Sequence, residues 1–138
     1  MKNFTCYLIV LSFIPIASFG QSSEDIELHQ LKSEKIAQMK LSAMSGSIEL
    51  KDEDREKFTN LYSSLLTERI TSEIDVMNHL SQLEVSSSSV LNEVMRIQHE
   101  LLEIETRILN DIEKLIGTKA FVSFYYFDRV GLDEKLKR

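Results

Sequence analysis

The 138-residue chain carries 22 Asp and Glu against 16 Lys and Arg, a formal net charge of −6, and no block of more than two consecutive basic residues. It therefore lacks the clustered cations that neutralise nucleic-acid phosphates. One cysteine, one proline and four glycines exclude a disulfide scaffold and leave little to punctuate the backbone.

Residues 1–20 read as a secretory signal. Lys2 supplies the positive start, Phe4 to Phe19 is uncharged and mostly apolar, and Ser18-Phe19-Gly20 puts small residues where signal peptidase reads them, leaving Gln21 as the new terminus. The apolar stretch is 16 residues long, short of the roughly 20 that a helical membrane span needs. An uncleaved N-terminal anchor is the rival reading. Cys6 lies too early in the stretch for lipid attachment. Cleavage leaves 118 residues with no cysteine and 15 Lys and Arg against 22 Asp and Glu. Such a length buries one modest core.

Abundant Leu, Ile, Glu, Lys and Met point to an all-α fold. A first helix begins near Gln21–Asp25, with Ser22 or Ser23 as its cap and Glu24 and Asp25 near the positive end of its dipole. Residues 21–34 form a polar lead-in, and the main helical domain covers 35–138. Ala37, Leu41, Met44 and Ile48 recur at helical spacing and make one apolar face, which Gly46 and Ser47 bring to an end.

Leu50-Lys51-Asp52-Glu53-Asp54 opens the second helix with three acids in its first turn. Its predicted stripe is Phe58, Tyr62, Leu66, Ile70, Ile74, Met77 and Leu80. The serine run Ser86–Ser89 then favours a turn and a new cap. The third helix has one stripe at Val90, Val94, Ile97, Leu101, Ile104, Ile108 and Leu115, and a second beside it at Leu91, Met95, Leu102, Leu109, Ile112 and Ile116. That apolar face is too wide for one neighbour. The helix is expected to be gripped by its hairpin partner and by either another helix or a second subunit, so self-association is expected.

Gly117 suits the position just past that helix, and Thr118 is a candidate cap for the next. Ala120–Phe127 has the propensity of a strand. With no other strand to pair with, it is read as a short helix. The tail from Asp128 to Arg138 is amphiphilic, with Val130, Leu132 and Leu136 apolar and a basic end.

Nothing assembles into a catalytic constellation, and the chain is read as a non-enzyme without a cofactor. No serine lies in a Gly-x-Ser-x-Gly setting and there is no glycine-rich phosphate loop. Glu103 and Glu105 are taken as ordinary helix-surface acids. His99 and Glu103 share a helical face and, with His79, are weak metal candidates, lacking the second histidine of a zinc-protease motif. A solvated helix edge is the simpler reading. Phe121, Phe124, Tyr125, Tyr126 and Phe127 are the one unusual concentration. They are either a core plug or a partly exposed patch that holds a partner, with Phe121, Phe124, Tyr125 and Phe127 as the partner-binding candidates.

Two regions together resemble the small bacterial envelope proteins of the CpxP/Spy-like (LTxxQ-type) group, which includes proteins labelled sensors of ECF-type sigma factors. The first region runs from Gln38 to Tyr62, where Leu50, Glu53, Phe58 and Tyr62 match the group's motif. Lys51, Asp52 and Asp54 stand where the group has Thr, Pro, and Gln or Glu. The second is Ile116–Phe127 with the basic end Lys135–Arg138. The resemblance implies a long antiparallel helical hairpin with shorter flanking helices, often a homodimer forming a curved cradle. It also implies a periplasmic, non-catalytic role: a stress-linked chaperone for unfolded clients, an inhibitor of a sensor kinase, or a metal sensor. From the residues themselves, a metal-responsive sensor and a structural coiled-coil adaptor stay open as alternatives, and no stable membrane span is expected after signal cleavage. Sequencing the N-terminus of the exported protein should read Gln21-Ser22-Ser23; a chain still starting at Met1 would establish the anchor instead.

Overall fold

The computed structural model describes residues 23–81 and 87–131; the predicted signal peptide and the last seven residues lie outside that range. Four helices follow one another: α1 (Ser23–Ser47), α2 (Asp52–Ser81), α3 (Ser87–Ile116) and α4 (Thr118–Tyr126), the last passing into a π-helical turn at Phe127–Gly131. No strand occurs among the described residues, and Ala120–Phe127 is helical. The all-α architecture predicted from the apolar spacing is the one observed. α1 runs without a break from the polar lead-in into the main domain.

Each chain reversal has a local cause. α1 stops just after Gly46, and the guanidinium of Arg55 donates to the carbonyl oxygens of Ser45 and Leu50. Those are carbonyls near a helix end and in the turn that have no intrahelical partner of their own. α3 stops at Gly117, whose φ of +82° suits a residue without a Cβ. α4 then starts at once, so that a single residue turns the aromatic helix back over α3. Thr118 does not cap α4: Gly117 holds the N-cap position, and the Thr118 hydroxyl donates to Glu113 Oε1 at 3.1 Å. No side chain caps the start of α4.

α2 is the middle helix, packed on one flank by α1 and on the other by the antiparallel α3. This corrects the single stripe expected for it. Leu65 and Val76 are buried along with Phe58, Tyr62, Leu66 and Met77, whereas Ile70 and Ile74 are only half-buried. A helix with two neighbours needs two apolar faces, and one periodic stripe describes only one of them.

The core falls into two clusters. The larger unites all four helices: Met44 from α1, Phe58, Tyr62, Leu65 and Leu66 from α2, Ile112 from α3 and Phe124 from α4. Phe124 stands edge-on to Phe58 and Tyr62, with ring centroids 5.7 and 5.1 Å away, an arrangement aromatic quadrupoles favour. The smaller cluster joins only α2 and α3, through Val76, Val90, Val94 and Ile97, with Leu80 against it. The second stripe of α3 divides accordingly. Leu109, Ile112 and Ile116 pack into the larger cluster, while Leu91, Met95 and Leu102 are exposed.

Phe124→Ala should therefore lower the unfolding free energy by about 3–5 kcal/mol, the usual cost of emptying an aromatic core site. Replacing the exposed Tyr126 with Ala should change it by no more than about 0.5 kcal/mol. Urea denaturation of both variants checks the contrast.

Candidate functional site

A buried polar cluster joins the three long helices to the C-terminal segment. The Asp128 side chain is fully enclosed. Tyr62 donates its hydroxyl to Asp128 Oδ1 at 2.8 Å, and Arg69 Nη1 donates to Oδ1 and Oδ2 at 3.0 and 2.9 Å. Arg69 Nε donates to Glu105 Oε1, and Arg129 Nη2 donates to Glu105 Oε2 at 3.2 Å. From α1, Lys40 Nζ donates to the backbone carbonyl of Asp128 at 3.0 Å. Two guanidinium groups thus answer two carboxylates, which is the condition for holding charge out of water. Within this cluster, Arg69 Nη2 is a buried nitrogen without a hydrogen-bond partner.

The electrostatics follow from this enclosure. Burial, reinforced by the neighbouring Asp128 carboxylate, pushes the Tyr62 hydroxyl far above its ordinary range. Burial works against the charge of Arg69, but Asp128 and Glu105 outweigh it and leave the guanidinium more firmly protonated than usual. With each carboxylate held by arginines inside the protein, the arrangement acts as a latch between elements.

Glu105 corrects the expectation of an ordinary surface acid. It is 7 % exposed, whereas Glu103 two residues away stands out in solvent. A signal for this was present: Glu105 lies four residues after Leu101 and three before Ile108, inside the apolar stripe, and Arg69 lies seven after Tyr62. Charges at core-facing positions of two adjacent helices are candidates for an internal pair. Asp128 carried no such mark, because its burial depends on where the π turn places it.

The weak metal candidates are not brought together. His99 Nε2 lies 3.4 Å from Glu103 on an exposed face of α3. His79 instead has its Nδ1 2.8 Å from the carbonyl oxygen of Asp75 and its Nε2 3.8 Å from Glu93. Among the described residues, no three His, Cys, Asp or Glu side chains gather where they would share an ion.

The four partner-binding candidates separate by burial. Phe124 is 1 % exposed and belongs to the core, so it offers no surface to a partner. Phe121 and Phe127 are half-buried against that core. Tyr125 is partly open beneath the Arg129 guanidinium, 5.5 Å above its ring. Tyr126, part of the aromatic concentration though not among those four, and Val122, which the sequence did not single out, are the most exposed apolar side chains of α4, at 60 and 63 %. Of the motif residues, Phe58 and Tyr62 are core, Leu50 packs against it, and Glu53 sits in the first turn of α2 within 3.3 Å of Lys57 Nζ.

Open apolar side chains also run along the long helices: Leu28, Leu31, Ile36 and Met39 on α1, and Leu91, Met95 and Leu102 on α3. Between α1 and α2 lies an open groove of about 480 Å³ floored by Leu41, Leu66, Ile70 and Ile74 and rimmed by Gln38, Thr67 and Thr71. No described helix is long and apolar enough to cross a membrane. No family model matches the chain, and neither a curated protein nor a solved structure is found to be similar to it.

Asp128→Ala should cost about 3–5 kcal/mol of stability, because it leaves the buried Tyr62 hydroxyl and Arg69 Nη1 without acceptors and Arg69 and Arg129 with Glu105 as their one shared carboxylate. Alkali tests Tyr62. Its folded-state pKa lies above the unfolded value near 10, so its contribution to stability is whole below about pH 10 and is lost as the pH rises further and the unfolded chain gives up a proton the fold retains. Urea midpoints measured across that range should fall less steeply for Tyr62→Phe than for the natural chain.

Proposed function

We propose that this chain is an exported, non-catalytic protein of the bacterial periplasm that works by protein–protein contact, holding a partner or an unfolding client as a chaperone or regulatory sensor. The observation that carries the reading is the run of open apolar side chains on a rod of long helices: Leu91, Met95 and Leu102 on α3, with Val122 and Tyr126 on α4. Exposed apolar surface set on a rigid scaffold and edged by charge is how helical proteins take hold of other polypeptides. The signal-like N-terminus and the motif order shared with the CpxP/Spy-like group support the same conclusion and supply the compartment. The reading includes a homodimer, since a second copy would cover surface that the monomer leaves open.

The decisive variant alters the open aromatic edge and leaves the core alone. Val122→Ser with Tyr126→Ser should shift stability by no more than about 1 kcal/mol, both being exposed surface positions. The natural chain should slow the light scattering of a heat-aggregating test protein at near-equal molar ratio, and the double variant should do so less well at unchanged helix content. A natural chain without effect on aggregation, and without any partner retained from the periplasm on crosslinking, would remove the reading.

A further inference from the structure

We infer that the half of the molecule away from the aromatic core is a docking surface for a cationic amphipathic polypeptide segment, one whose apolar side chains are flanked by Lys or Arg. The inference rests on the protein-contact reading above and gives it a surface and a partner chemistry. Charge is spread very unevenly along the rod. With the division at the level of the Arg69–Glu105 pair, residues 40–69 and 105–131 hold ten carboxylates and nine Lys or Arg. Residues 23–39, 70–81 and 87–104 hold nine carboxylates and three Lys or Arg. Among the described residues the far half therefore has a net charge of −6 and the core half −1.

The same acidic half presents the uncovered length of the second α3 stripe. Leu91, Met95 and Leu102 are 58, 56 and 39 % exposed, at spacings of four and seven residues that keep them on one face. Further along α3 that stripe packs into the larger cluster, to which α4 adds Phe121 and Phe124, and the chain runs back along α3 until Arg129 reaches Glu105. The molecule thus already contains the packing mode that an incoming helix would extend. The C-terminal segment seats Asp128 and Arg129 against Lys40, Arg69 and Glu105. One helical turn beyond those three, the walls become Ile36, Glu73 and Leu102. Ile36 is 40 % exposed; the Glu73 side chain is 48 % exposed with its Oε2 3.1 Å from His29 Nε2, and Glu103 stands in solvent on α3 near Leu102, 3.4 Å from His99. An apolar strip bordered by carboxylates selects a partner by charge. It repels an acidic chain or an anionic lipid surface and accepts an apolar segment edged with Lys or Arg.

The probe is a fluorescent 14-residue peptide of Leu and Lys with Leu at helical i, i+3, i+4 and i+7 spacing, and its control has Glu in place of every Lys. The full chain should bind the Leu/Lys peptide with a micromolar Kd that weakens as salt is raised, and should not bind the Leu/Glu peptide. Leu91→Ser with Met95→Ser and Leu102→Ser, all exposed positions, should weaken binding about tenfold or more at unchanged circular dichroism. Glu73→Gln with Glu103→Gln should weaken it less and flatten its salt dependence. Equal binding of both peptides, or full affinity in the triple variant, overturns the proposal. So does a triple variant that turns a self-associating chain monomeric while the peptide fails to compete, which makes a second copy the occupant. Binding that appears only after residues 132–138 are removed makes the chain's own C-terminal segment the occupant and likewise overturns it. If the peptide does not bind but aggregation of the test protein is still suppressed, this inference alone falls; if suppression is also absent, the reading beneath it falls as well.

Discussion

A carboxylate with no contact to water must have its charge and lone pairs answered by the protein, and Asp128 is such a group. Its answers come from Tyr62 and Arg69 on α2, while Lys40 on α1 holds its backbone carbonyl. Arg69 then spans to Glu105 on α3, and Arg129 closes the circuit on the second oxygen of Glu105. The three long helices and the C-terminal segment therefore meet at one set of charges. Phe124 of α4 stands edge-on to Phe58 and Tyr62, and the π turn that follows α4 delivers Asp128 to α2.

Buried ion pairs contribute little net stability compared with apolar residues of the same shape, because desolvation offsets most of the attraction. Here the cluster's contribution is specificity of arrangement. Hydrophobic contact alone would let α4 slide along the broad apolar face of α3, whose second stripe continues as Leu102, Met95 and Leu91. The pairing of Arg69 with both Asp128 and Glu105 accepts one position on that stripe. The two core clusters lie on either side of this level, so the latch is also where the four-helix assembly gives way to the three long helices alone, with a more acidic surface. The stretch of the second α3 stripe beside the larger cluster is packed, and the stretch beside the smaller one is open.

The helices were legible because their causes are local. The spacing of Ala37, Leu41, Met44 and Ile48, the acids opening α2 and the glycine at 117 act within a few residues, and the observed boundaries follow them closely. Phe124 as a plug was also within reach, since five aromatics in seven residues seek enclosure. Which of the five turn inward was not, because that depends on the direction from which α4 approaches α3. Thr118 misled for a related reason. A Ser or Thr beside a glycine turn resembles a cap, yet Gly117 itself takes the N-cap position and the Thr118 hydroxyl turns back to Glu113.

By itself, then, the sequence determined an all-helical chain with long helices, an acidic balance and an α3 face too wide for one neighbour. These are properties of period and composition, which a linear string carries in full. The tertiary structure alone decided that α2 has two buried faces, that Glu105 is enclosed while Glu103 is not, and that α4 covers half of the wide α3 face and leaves the rest bare. Each of those depends on meetings between residues 24 to 88 positions apart, such as Arg129 with Glu105, Arg69 with Asp128 and Lys40 with Asp128. Local propensity has no term for such meetings, because the desolvation that makes them necessary exists only once the helices are packed.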